Sequence, residues 1–225
     1  MSPRRIAAVA ASLTLALGAT ACGDDEETAS SSGSAAAAAE KAAPKPVAQI
    51  DQLTGRSTAV KLDAGFVEAL TSLKVTPGAV GDGKITKGGS AVFPITGGNV
   101  TYYKPGTVSP YVQGMIDHKG SGLSLEAGGK KVELEDFVVD PGGSVLTGTV
   151  SVDGKEAAPA GTPLFFLDGR TLKPLEAKDN GTAVLQGTTV KLKQEAADLL
   201  NQTFEIDALE AGLEIGVATI TVNTK

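Results

Sequence analysis

From Val108 to Asp153 apolar and polar residues alternate, and glycine pairs interrupt the runs: VSPYVQGMIDHKGSGLSLEAGGKKVELEDFVVDPGGSVLTGTVSVD. Side chains of a strand point to opposite faces in turn, so this alternation predicts half-buried antiparallel strands joined by tight turns. Leu123 and Leu125 share a face, as do Val132 and Leu134 across Gly128-Gly129. Phe137 and Val139 continue in the opposite phase, which predicts a bulge near Glu135-Asp136. Upstream, Val92 to Ile95 and Val100 to Tyr103 flank Gly97-Gly98-Asn99, a hairpin signal. Downstream, Pro163 to Leu167 reads as a short strand buried on both faces. The fold class that follows is mainly β, with β-sandwich-like antiparallel sheets and two short flanking α-helices.

The helices come from two units that read alike, at about 57–86 and 187–222. Thr58-Ala59-Val60-Lys61-Leu62 matches Thr188-Thr189-Val190-Lys191-Leu192. In the first unit Asp63 is the expected N-cap, and Phe66, Val67, Leu70 and Leu73 make an apolar stripe at helical spacing. In the second, Ala196, Ala197, Leu199, Leu200 and Phe204 do the same. Each unit reads strand, helix, strand, and the last strand, Ala218 to Val222, is expected to pair within the sheet. Aromatic residues are only 4% of the chain and tryptophan is absent, so the core must rest on Val, Leu, Ile and a few Phe.

Three segments are expected: a leader over 1–21, a tether over 22–47 and one globular domain over 48–225. Arg4 and Arg5 precede an apolar run, Ile6 to Ala19, that is short for a bilayer span. The tether is acidic, then Ser- and Ala-rich, and ends Ala43-Pro44-Lys45-Pro46. It has no apolar periodicity to offset chain entropy, and its coil length would be about 25–30 Å. Net charge is −6, and a leader carrying two arginines would leave −8 on the remainder. That balance argues against nucleic acid as the partner.

Ala19-Thr20-Ala21-Cys22 resembles the lipobox of bacterial lipoproteins. The resemblance implies cleavage before Cys22, acylation of its thiol, and attachment to the extracytoplasmic face of the cell membrane. Two or more acyl chains suffice for stable anchoring. Cys22 is the one cysteine, so no disulfide supports the domain. An ordinary secretory signal is the alternative, and Arg4-Arg5 also admits twin-arginine export.

Catalytic signatures are sparse. One histidine, His118, cannot build a histidine-rich zinc site, and no Gly-x-Ser-x-Gly elbow is present. Asp117-His118 reads as a solvated pair at a strand end. Glu133 and Glu135 share a strand face beside Lys130 and Lys131, the pattern of a solvated sheet. A glycan hydrolase would need two carboxyls facing across a cleft. The leading expectation is therefore non-enzymatic: binding of a ligand or partner at the envelope, with no resident cofactor.

Tyr102, Tyr103, Tyr111 and His118 fall within one short span and are the candidate binding residues. The segment Gly114 to Leu123, with His118-Lys119-Gly120, is similar to the strand pair of the Htaa-type haem-uptake domain. That family is β-rich, envelope-attached, and binds haem through a tyrosine supported by a histidine. The resemblance implies Tyr102 or Tyr103 as haem ligand with His118 as its partner.

Overall fold

The computed structural model describes residues 43–224. The leader, Cys22 and most of the tether lie outside the described residues.

In chain order the elements are β1 (Ala48–Ile50), β2 (Arg56–Leu62), α1 (Ala64–Ser72), β3 (Thr76–Gly81), β4 (Lys84–Ile85), β5 (Ser90–Pro94), β6 (Gly97–Tyr102), β7 (Val112–Ala127) and β8 (Lys130–Asp140). They continue as β9 (Val145–Val152), β10 (Lys155–Asp168), β11 (Glu176–Lys178), β12 (Thr182–Leu192), α2 (Gln194–Phe204) and β13 (Glu214–Asn223). The main sheet runs β1-β6-β7-β8-β9-β10-β12-β13-β2-β5-β4, while β3 pairs with β7 and β11 with β12. The fold is mainly β with two short helices, and the faces expected of a sandwich belong to one curled antiparallel sheet. Its curl brings β5 against β8, where Phe93 and Phe137 meet edge to face with ring centroids 5.1 Å apart. Phe165 of β10 extends the contact, 6.4 Å from Phe137. Such edge-to-face pairs place the positive ring edge on the negative face and fill the interior where aromatic residues are few.

Turn chemistry explains the central meander. Gly128 and Gly129 are both left-handed (φ 58° and 78°), the backbone that a tight β7–β8 hairpin requires. Asp136 is also left-handed (φ 53°), and the β8–β9 register slips between Glu135 and Val138. That slip is the bulge signalled by the phase change at Phe137.

Helix α1 begins at Asp63, whose carboxylate accepts from the Phe66 backbone N–H at 3.1 Å. Phe66 and Leu70 are buried, but Val67 of the expected stripe is exposed, because the helix runs only from Ala64 to Ser72 and covers a narrow strip. Strands β2 and β12 both pair with β13, one on each side, and both lead into a helix at the end of the sheet where β13 begins. The third elements diverge: β13 returns beside β12, whereas β3 crosses to pair with β7.

Two local expectations are corrected. The strands either side of Gly97-Gly98 do not pair with each other; β5 joins β2, and β6 joins β7 and β1. Gly98 sits within β6 at φ 107°, and a Cβ there would lie 2.0 Å from the Met115 carbonyl oxygen. Its glycine serves close strand approach, which leaves the same sequence mark as a turn. The segment around Phe166 is not buried on both faces: Phe165 points inward, while Phe166 is 44% exposed. Strand β10 has neighbours β9 and β12, but its outer face is uncovered at that point.

Candidate functional site

The curled sheet is filled at one end and hollow at the other. At the filled end lie the three phenylalanines and helix α2, which packs against β8 and β10. At the other end is a cavity of about 680 Å³. Its walls are aliphatic: Val60 of β2, Ile116 of β7, Val139 of β8, Leu146 of β9, Val190 of β12 and Ala218 of β13. These strands alternate, so one face of each supplies the wall. The volume lies within the range that small-molecule sites occupy.

Tyr102 and Tyr111 line this cavity, with ring centroids 5.9 Å apart and edge to face. Tyr102 ends β6 and is buried, and Tyr111 immediately precedes β7. Burial, then the neighbouring Tyr102, push the Tyr111 phenol above its ordinary value, so it is neutral at physiological pH. Tyr103 is not part of the wall among the described residues; its backbone N–H donates to the Tyr111 carbonyl at 2.7 Å. Pro110, Pro141 and Ser144 complete the tyrosine end.

His118 is the largest departure from the sequence reading. It is no solvated turn residue but sits within β7, 1% exposed, beside Phe137 of β8. Its Nε2 lies 2.8 Å from Oγ1 of Thr58 on β2, a bond across the interior between residues 60 apart in sequence. Among the described residues, Nδ1 has no hydrogen-bond partner. Burial lowers the imidazole pKa to about 4, against the opposing pull of the Phe137 and Ile116 carbonyls and the Asp117 carboxylate. The ring is therefore neutral. Thr58 lines the cavity and His118 stands behind it, so the pair forms the polar floor of an apolar chamber.

The tyrosines and the histidine do not meet. Tyr102 pairs with Val112, and His118 lies six positions farther along β7, about 20 Å of extended strand. The hydroxyl that His118 contacts belongs to Thr58, a residue the sequence marked only as part of a repeated strand.

The charged residues in the cavity lining are Asp168 and Arg170, and they pair with each other. Asp168 is on the same strand face as the exposed Phe166, and its carboxylate pairs with Arg170 Nη2 at 2.5 Å and Lys191 Nζ at 3.0 Å. Arg170 above all, then Lys191, hold Asp168 well below the usual carboxylate range. Glu133 pairs with Lys131 at 2.7 Å, and Glu135 stands two residues along the same strand rather than across a cleft. Burial, then Glu133 and Asp136, raise Glu135 above its ordinary value. Among the described residues, no cluster of three or more His, Cys, Asp or Glu is arranged to hold a metal.

No family model matches the chain, and no curated protein matches it. Among solved structures, the C-terminal domain of HtaA from Corynebacterium glutamicum is similar, at 15% identity and a TM-score of 0.53. The match covers 76% of this chain and 98% of that domain. A domain-swapped dimer of a histidine-to-alanine variant of the same domain aligns at 15% identity and a TM-score of 0.44, over 72% of this chain and 92% of that one. At this identity the likeness shows a shared fold: the curled antiparallel sheet of this chain is that of the HtaA C-terminal domain.

Proposed function

We propose that this chain is a non-enzymatic binding domain of the cell envelope, anchored through acylated Cys22, whose cavity takes a small apolar molecule. The observation that carries this reading is the cavity itself: about 680 Å³ of space at one end of the sheet, walled by aliphatic side chains. A compact domain without disulfides gains stability by filling its interior, and each void costs contacts. A chamber of this size in a protein with one cysteine is a feature that binding explains. The test is titration with a neutral fluorescent probe, N-phenyl-1-naphthylamine. Saturable uptake at one site per chain supports the reading, and its absence removes it.

Haem is the second reading. Two tyrosine hydroxyls at one cavity, the Htaa-type sequence resemblance and the shared fold favour it. The residue pattern fits it poorly, because the resemblance calls for a tyrosine supported by a histidine. Here His118 is bonded to Thr58, about 20 Å along the strand from Tyr102. Adding haemin tests this directly. A shifted Soret band that is lost in Tyr111→Phe or Tyr102→Phe would establish haem, and an unperturbed haemin spectrum would end it.

A further inference from the structure

Thr58 is buried, 5% exposed, and lies in the lining of a chamber walled by Val, Leu, Ile and Ala, with its hydroxyl held 2.8 Å from His118 Nε2. A hydroxyl has one proton and two lone pairs. The bond to His118 Nε2 uses one of these positions. If Nε2 is the donor, the Thr58 proton is free; if Nε2 is the acceptor, both oxygen lone pairs are free. In either tautomer Thr58, a lining residue, keeps hydrogen-bonding capacity that His118 does not use. His118 fixes the hydroxyl rotor from behind, because the imidazole is buried beside Phe137.

Building on the cavity reading above, we infer that the ligand is an aliphatic molecule with one neutral polar group, a hydroxyl or carbonyl, which enters first and hydrogen-bonds to Thr58. A polar group buried without a partner costs free energy, so a bare hydrocarbon would leave the floor unmatched and an alcohol would match it. A carboxylate tip is disfavoured. Among the described residues the base at Thr58 is the neutral His118 imidazole, and an unpaired buried charge is far more costly than a neutral dipole. Arg170, the cation in the cavity lining, is already paired with Asp168, which Lys191 also contacts. His118 is a positioning residue here: it acts through Thr58.

The experiment compares 1-decanol with decane as displacers of N-phenyl-1-naphthylamine from the wild type, Thr58→Ser and Thr58→Val. The preference for decanol over decane should fall about three- to tenfold in Thr58→Val, the range of one neutral hydrogen bond. It should be retained in Thr58→Ser. In parallel, the His118 ring nitrogen resonances should move when decanol binds and stay in place when decane binds, a readout that packing alone would not give. An unchanged decanol preference in a folded Thr58→Val protein overturns the inference while leaving the cavity reading standing. If Thr58→Val does not fold, static His118 resonances in the wild type saturated with decanol overturn it equally. Failure of the probe to bind the wild type overturns the cavity reading itself and this inference with it.

Discussion

Acidification should weaken this fold through His118. The folded imidazole has a pKa of about 4, and an exposed imidazole in the unfolded chain has about 6.5. Between those values the unfolded state binds a proton that the folded state refuses, so stability rises with pH. The contribution is fully present above the unfolded value, is lost progressively as pH falls through the window, and is gone once pH has passed below the folded value. The shift corresponds to roughly 3 kcal/mol in total, with about 2 kcal/mol of it lost by pH 5. That is a large part of the stability of an ordinary domain. Urea unfolding at pH 7, 6, 5 and 4.5 measures it, and His118→Gln supplies the reference, since glutamine can still reach Thr58 but does not titrate. The wild type should lose stability relative to this variant by the stated amounts. Parallel pH curves for the two proteins would refute the argument that a buried neutral imidazole bridges β7 and β2.

Three further outcomes are expected. Phe137→Ala removes the middle ring of the Phe93–Phe137–Phe165 contact and should cost about 3–5 kcal/mol, whereas Phe166→Ala, on an uncovered face, should change the melting temperature little; similar losses in both would contradict the inward and outward assignment. Deleting Leu213 to Lys225 removes β13 from between β12 and β2, so cooperative unfolding should disappear, as calorimetry would show; one sharp transition near the parent temperature would contradict the sheet order. Cys22→Ala should move the protein from the membrane fraction to the soluble fraction of its host, and continued membrane attachment would refute the proposed anchor.

The strands were legible because half-buried antiparallel sheet writes a period of two into the sequence. Leu123, Leu125, Val132 and Leu134 carry it, and all four are buried. Asp63 gave the start of α1 because an N-cap is a local device. What stayed hidden was non-local. The glycine pair Gly97-Gly98 resembles a hairpin turn, and only the position of Met115 on the neighbouring strand shows why glycine is required. Phe165 and Phe166 are equivalent by composition, and the uncovered outer face of β10 separates them. His118 beside Asp117 looked solvated because its partner, Thr58, arrives from a strand 60 residues earlier. Of the candidate residues, Tyr102 and Tyr111 reach the cavity, Tyr103 does not, and His118 reaches it only through Thr58. The chamber has no sequence signature of its own, since Val60, Val139 and Ala218 would read the same way in a filled core.

The most direct measurement is therefore of the cavity. Ala218 lies in its wall, and Val217, its neighbour on β13, points to the exposed face. Ala218→Phe should occupy the chamber with a ring and abolish uptake of N-phenyl-1-naphthylamine, while Val217→Phe should bind the probe as the wild type does. Equal binding by the two folded variants would place the probe elsewhere and contradict the account.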